Sequence, residues 1–188
     1  MQAKRLFVSL ELPLAIAEAL VRLDPHLPGV RWAKAGQIHL TLAFLGSVTV
    51  EAEKKLHAQL STIRFASFFL PLHGLGTFPA RGRPKIIWIG VGAGHPHLFQ
   101  LHKRVTDAAL AAGLEPDLRP WHPHLTLARC QEVAAQSVRP FLRDHADFDL
   151  GMVRFDAFHL KSSELTAGGS VYRDELIVRA LHLTSCYG

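Results

Sequence analysis

Cysteine is scarce in this chain: Cys130 and Cys186 are the only two among 188 residues. Two cysteines build no disulfide framework, and neither stands at a zinc-ligand spacing. They are expected to be small buried hydrophobes in a reducing cytosol. Long apolar runs are also missing. None approaches the roughly 20 residues that span a bilayer. The start, Lys4-Arg5-Leu6-Phe7-Val8, has basic residues before apolar ones, but Glu11 and Pro13 interrupt it too early for a secretion signal. Low-complexity stretches and linkers are absent as well, so residues 1–188 are expected to form one domain. The expectation is a cytoplasmic protein with no membrane contact.

What is present fits a folded globular protein. Hydrophobic residues make up 48% and charged residues 20%, an ordinary balance for a globular chain that rules out disorder. About 70% of the unfolded surface can be buried at this length. The net charge is +5, which favours polyanions such as RNA, or phosphate substrates.

The apolar spacing predicts strands over 5–12, 37–45, 68–75, 85–91 and 122–129, with a short extended piece at 30–32. It predicts helices over 14–23, 50–63, 96–112 and 134–143. Segments 148–160 and 172–184 read as strand-rich, joined by Ser163 to Ser170, which carries the turn signal Gly168-Gly169. The class is α+β: antiparallel or mixed sheets with helices packed on one side.

One internal repeat stands out. His39-Leu-Thr-Leu-Ala43 recurs as His124-Leu-Thr-Leu-Ala128, 85 residues on, close to half the chain. Both copies fall on predicted strands, so two similar lobes facing one another are expected. Alternation along a strand puts His39 with Thr41 on one face and Leu40 with Leu42 on the other; the second copy behaves alike. With the polar faces inward, two imidazoles and two hydroxyls line one cleft.

That set suits phosphoryl chemistry without a metal. An ordinary imidazole titrates near 6.5, so one His can hold a proton while the other lacks it. One takes a proton from attacking water; the other gives one to the departing oxygen. We cast His124 as the base and His39 as the acid, although the repeat is too symmetric to fix the roles. Thr41 and Thr126 can donate to non-bridging phosphate oxygens. Arg129 follows the second copy and can add a charge-assisted contact. A regular strand would turn Arg129 away from His124, so its use requires the strand to end or bulge there.

Other readings stand beside this one. A single His-x-Thr is an ordinary strand sequence; the duplication carries the weight. His122-Pro-His124 and His95-Pro-His97 could offer metal ligands, but no third ligand stands at a recognisable spacing. His122 reads as a supporting residue, and His95 and His97 as surface residues. Arg81, Arg83 and Lys85 cluster in a turn-rich loop, either solvated or touching an RNA backbone. Trp32, Phe44 and Tyr172 are candidates for stacking on a base.

The paired His-x-Thr elements resemble the 2H phosphoesterase superfamily. More closely, the chain is similar to the bacterial and archaeal RNA 2′,3′-cyclic phosphodiesterases, also called 2′-5′ RNA ligases (LigT-like). The likeness runs through Arg5-Leu-Phe-Val8, His39 to Gly46, Gly74 to Phe78, Arg83 to Trp88, His122 to Arg129, and Leu160 to Tyr172. It implies two pseudo-symmetric lobes, each an antiparallel sheet with helices outside, around a central cleft. It implies hydrolysis of a terminal 2′,3′-cyclic phosphate to a 2′-phosphomonoester, with ATP-independent 2′-5′ joining as the reverse chemistry. The catalytic pair carries over to His39 and His124, and phosphate binding to Thr41, Thr126 and Arg129. No cofactor, metal or protein partner is implied, and the chain is expected to be a monomer. Its partners would be RNA ends or cyclic nucleotides. The rivals are a module that grips RNA ends without turnover, and a phosphodiesterase for another cyclic nucleotide or an oligoadenylate.

Overall fold

A computed structural model describes residues 3–92, 95–117, 119–166 and 169–181. Cys186, Gly168 and the end of the last expected strand, 182–184, lie outside the described residues.

The chain runs β1 (Lys4–Glu11), α1 (Leu14–Val21), β2 (Val30–Trp32), a 3₁₀ turn (Ala35–Gln37), β3 (His39–Val48), α2 (Val50–Ser61), β4 (Phe68–Phe78), β5 (Ile86–Gly90), α3 (Pro96–Ala111), β6 (His124–Cys130), α4 (Ala135–Asp144), β7 (Asp149–Phe155), β8 (Ala157–Thr166) and β9 (Gly169–Arg179). The start signals act as their chemistry suggests. The Thr49 hydroxyl accepts from the Ala52 amide at the head of α2, and Pro96 opens α3, where its missing N–H costs nothing.

The strands form one sheet in the order β7-β4-β5-β6-β3-β1-β8-β9, with β2 paired to β6. It consists of two four-stranded halves meeting where β3 lies antiparallel to β6. The pair recorded there is Leu40↔Leu125, which are equivalent positions of the repeat. A pseudo-twofold axis therefore passes through this pair. It relates β3 to β6, β1 to β5, β8 to β4 and β9 to β7.

The axis also explains the core. Leu40, Leu42, Leu125 and Leu127, with Leu6, Val8, Leu10 and Ile89, are buried on one sheet face. Leu56 and Leu60 of α2 and Leu98, Leu101 and Val105 of α3 belong to the same cluster. Ile87 and Ala128 pack with Val138 and Phe141 of α4. The opposite face carries polar and aromatic side chains, among them Ser9, Phe7 and Phe44.

One expectation needs correction. Ser163 to Ser170 is not chiefly a joining loop: β8 runs to Thr166 and β9 starts at Gly169. The arm escaped the apolar pattern because its outer residues are polar or exposed, held by ladder pairs such as Ser163↔Tyr172 and by Glu164–Arg173 at 3.5 Å.

Candidate active site

Carried one step either way from Leu40↔Leu125, the antiparallel register sets His39 across from Thr126 and His124 across from Thr41. All four side chains leave the sheet on the face opposite the buried leucines. The two His-x-Thr pairs are thus brought together at the centre of the sheet.

Both halves bulge at the same place. In β1–β3 the register passes from Ser9↔Thr41 to Val8↔Ala43, leaving Leu42 unpaired. In β5–β6 it passes from Trp88↔Thr126 to Ile87↔Ala128, leaving Leu127 unpaired. An extra residue shifts the alternation by one. Arg129, paired with Ile86 two residues before Trp88, therefore shares the face of Thr126. The bulge supplies what a regular strand would have denied. In the first half the same shift turns Phe44, paired with Phe7, to the cleft face. Positions 44 and 129 are equivalent in the repeat, so one end of the cleft carries a benzyl ring and the other a guanidinium. Phe44 is 57% exposed.

Side chains satisfy the edge of β3 that β6 does not cover. The Trp121 indole donates to the Thr41 carbonyl at 3.1 Å, and His102 Nδ1 meets the Leu42 carbonyl at 2.8 Å. The two rings stack with centroids 3.9 Å apart. In the other half the Ala33 amide donates to the Leu127 carbonyl at 2.7 Å.

Each histidine sits in an aromatic frame. His39 stacks on Phe7 at 4.9 Å and meets Tyr172 edge-on at 5.4 Å. His124 meets Phe78 edge-on at 5.0 Å, with Trp88 at 6.5 Å. Trp88 lies where Gly76 leaves room: a Cβ at Gly76 would come within 2.3 Å of the indole. His124 Nδ1 lies 2.7 Å from the His122 carbonyl. A carbonyl only accepts, so Nδ1 carries the proton and Nε2 is free for chemistry. The Gln37 carbonyl acts on His39 from the corresponding position, raising its affinity for a proton, though Nδ1 falls outside hydrogen-bond geometry.

Electrostatics break the symmetry. Burial is the largest influence on both rings. It pushes His39 down to about 4, with nearby Lys161 and His124 lowering it further and Glu11 opposing. Burial also lowers His124, against the pull of the His122 carbonyl. Glu11 is the direct cross-strand neighbour of His39, whereas Gly90 holds that place beside His124.

Glu11 belongs to a network that the sequence did not announce. Lys161, 8% exposed, pairs with Glu11 at 2.9 Å and with Asp174 at 3.6 Å. Ser9 Oγ donates to Glu11 at 2.7 Å, and His159 Nδ1 meets Asp174 at 3.0 Å. Ser9 and Glu11 alternate with Leu6, Val8 and Leu10 on β1, which was a legible signal. Lys161 carried none, because its partners are distant in sequence.

Of the stacking candidates, Phe44 and Tyr172 are on the cleft face. Trp32 is not: its indole donates to the Leu20 carbonyl and its ring packs edge-on against Phe141, on the helix side. Arg81, Arg83 and Lys85 are exposed in the loop that follows Phe78. His97 is exposed and lies over Phe68. Among the described residues no three His, Cys, Asp or Glu side chains converge in the manner of a metal site, and no helix is long and apolar enough to cross a membrane.

A curled antiparallel sheet with helices on its outer face and one His-x-Thr pair on each half defines the 2H phosphoesterase class of fold. Within that class the chain belongs to the 2′-5′ RNA ligase superfamily, whose family model matches residues 12–163. An RNA 2′,3′-cyclic phosphodiesterase of Aeropyrum pernix is 34% identical over 143 residues, 76% of this chain and 81% of that one. The protein of the same name from Escherichia coli is 35% identical over 131 residues, 68% of this chain and 73% of that one. Among solved structures, E. coli LigT complexed with 3′-AMP superposes with a TM-score of 0.79 at 28% identity, covering 95% of this chain and 99% of that one.

Proposed function

We propose that this protein hydrolyses terminal 2′,3′-cyclic phosphates on RNA, releasing a 2′-phosphomonoester, with His39 and His124 as its proton-transfer pair. Water attacks phosphorus in line with the P–O3′ bond. One imidazole takes the proton from the water as the new P–O bond forms. The other gives a proton to O3′ as the old bond breaks. Thr41 and Thr126 donate to the non-bridging oxygens, where charge must be held through the transition state. Arg129 adds positive charge at one end of the cleft, and Phe44 offers an exposed ring on which a base can stack at the other. With the 5′-hydroxyl of a second strand in place of water, the same displacement of O3′ joins two RNA ends through a 2′-5′ linkage without ATP.

The single observation that carries this reading is the Leu40↔Leu125 pairing, which directs two imidazoles and two hydroxyls to one face from opposite halves of the chain. The names of the relatives support the choice of substrate.

The test is a product assay on an oligoribonucleotide ending in 2′,3′-cyclic phosphate, run in EDTA. The expected product is the 2′-monophosphate. His39→Ala and His124→Ala should each lower turnover about 10²–10⁴-fold, and the double variant much less than the product of the two losses, because the pair acts as a unit. Unimpaired hydrolysis by the double variant ends the proposal. Binding of the oligonucleotide without any product favours an end-binding module instead.

A further inference from the structure

Trp121 and His102 close a gap in the sheet at the bulge of β3. Leu42 is the residue that the bulge leaves without a ladder partner, and the recorded pairing of β3 with β6 is at Leu40. The Thr41 carbonyl is met instead by the Trp121 indole, 80 residues on, and the Leu42 carbonyl by His102 Nδ1. A carbonyl only accepts, so His102 carries a proton on Nδ1. α3 holds the indole from two positions three residues apart, which share a helix face. His102 stacks on it, and Phe99 meets it edge-on at 5.5 Å.

The run that carries Trp121 also serves the other half-site. His122 comes next, and its carbonyl holds His124 Nδ1. Pro123 between them fixes one backbone angle. The four consecutive residues Trp121 to His124 thus reach from the backbone of the first His-x-Thr pair to the imidazole of the second. The repeat does not account for this. The counterpart of His122 is Gln37 (122 − 85 = 37), whose carbonyl acts on His39. The counterpart of Trp121 is Gly36 (121 − 85 = 36), which has no side chain; even a Cβ there would meet nothing within 4 Å. In that half the bulge carbonyl, on Leu127, is met by the Ala33 backbone amide. Side chains therefore do in one half what the main chain does in the other.

We propose that Trp121, fixed by His102, is a positioning residue that sets where Thr41 stands relative to His124. The inference rests on the reading that Thr41 donates to the substrate phosphate. The carbonyl that the indole holds belongs to Thr41 itself, so a shift of that peptide unit carries the hydroxyl away from the phosphate oxygen it must meet. A misplacement of about 1 Å can cost about 10²-fold in rate.

Trp121→Phe removes the indole N–H and keeps a ring for His102 to stack on. Its effect is measured in three backgrounds, wild type, Thr41→Ala and Thr126→Ala. The readouts are binding of adenosine 2′-monophosphate and hydrolysis of 2′,3′-cyclic AMP. In the wild-type and Thr126→Ala backgrounds it should weaken binding and lower kcat/KM about five- to tenfold, the worth of one hydrogen bond. In Thr41→Ala it should change either by less than about twofold, because the hydroxyl it places is gone. The melting temperature should fall equally in all three, since each loses the same bond to the carbonyl. His102→Leu, which removes the stack and the second donor, should repeat the pattern. Equal losses of binding and turnover in the wild-type and Thr41→Ala backgrounds overturn the proposal, because the indole would then serve the fold alone. Unchanged binding and turnover in Trp121→Phe overturn it as well. Absence of hydrolysis by the wild type, with the Thr41-dependent loss of binding intact, would sink the activity reading and leave the positioning role standing. Failure of the wild type to bind the monophosphate would sink both.

Discussion

His39 should make the protein acid-labile, and the amount can be worked out. Its imidazole titrates near 6.5 when solvated, and burial against Phe7 and Tyr172 lowers this to about 4 in the folded chain. The unfolded chain therefore binds a proton at His39 over a pH range in which the folded chain does not. Stability falls as pH falls wherever the unfolded state binds more protons. The loss begins near 6.5, grows through the window, and stops below about 4, where both states are protonated. At about 1.4 kcal/mol per pH unit the full window is worth about 3 kcal/mol, of which about 1 kcal/mol is already lost at pH 5.5 and most by pH 4.5. His39→Gln keeps a polar side chain of similar reach but does not titrate. Urea unfolding of both proteins at pH 7.0, 5.5 and 4.5 isolates the contribution, because every other titrating group is common to the pair. The variant should gain on the wild type by about those amounts as pH drops. A difference that stays constant from pH 7.0 to 4.5 would refute the claim that His39 is buried in its neutral form.

Two further outcomes probe the frame around the histidines. Gly76→Ala drives a Cβ into the Trp88 indole, 2.3 Å away, so Trp88 must move and disturb Phe78 and His124. Overpacking of this kind costs about 1–3 kcal/mol, and turnover should fall along with a change in tryptophan fluorescence; wild-type turnover and emission would show that the indole does not brace His124. Glu11→Gln leaves Lys161 with only Asp174 at 3.6 Å. Breaking a buried pair can cost about 3–5 kcal/mol, and the surviving partner should hold the loss to about 2 kcal/mol. Glu11→Gln/Lys161→Met should recover most of this in chemical denaturation. Because Glu11 raises and Lys161 lowers the proton affinity of His39, the limb of the pH–rate profile that His39 sets should move down in Glu11→Gln and up in Lys161→Met. Additive stability losses, or limbs that stay put, would count against the coupling.

How much of this was legible in the sequence follows from the range over which each signal acts. The repeat and the two-residue period of a strand were enough to put His39, Thr41, His124 and Thr126 on polar faces, because both are local rules. They were also enough to expect two similar halves. The bulges at Leu42 and Leu127 left no mark of their own, since a bulge is set by the partner strand and both positions hold a leucine as any regular strand would. Hence Arg129 looked misdirected until its pairing with Ile86 was seen. Trp32 was an equal candidate with Phe44 and Tyr172 because an aromatic beside a strand carries no label for its face. The Glu11–Lys161–Asp174 network joins β1, β8 and β9 across about 160 residues of chain, and only the topology brings it together.

The same contrast explains how a near-symmetric scaffold can run an asymmetric reaction. A cyclic phosphate must be met by one proton donor and one acceptor, with a base on one side and a growing strand on the other. Duplication alone yields two identical half-sites, which cannot orient a substrate. Two departures from the repeat fall where orientation is needed: a ring at 44 against a guanidinium at 129, and a carboxylate at 11 against a glycine at 90. Conversely, the positions that match, the His-x-Thr pairs and the leucines between them, are those that any orientation requires. Exchanging Phe44 and Arg129 between the halves should therefore spare the fold, since both side chains are exposed, and scramble the choice of substrate.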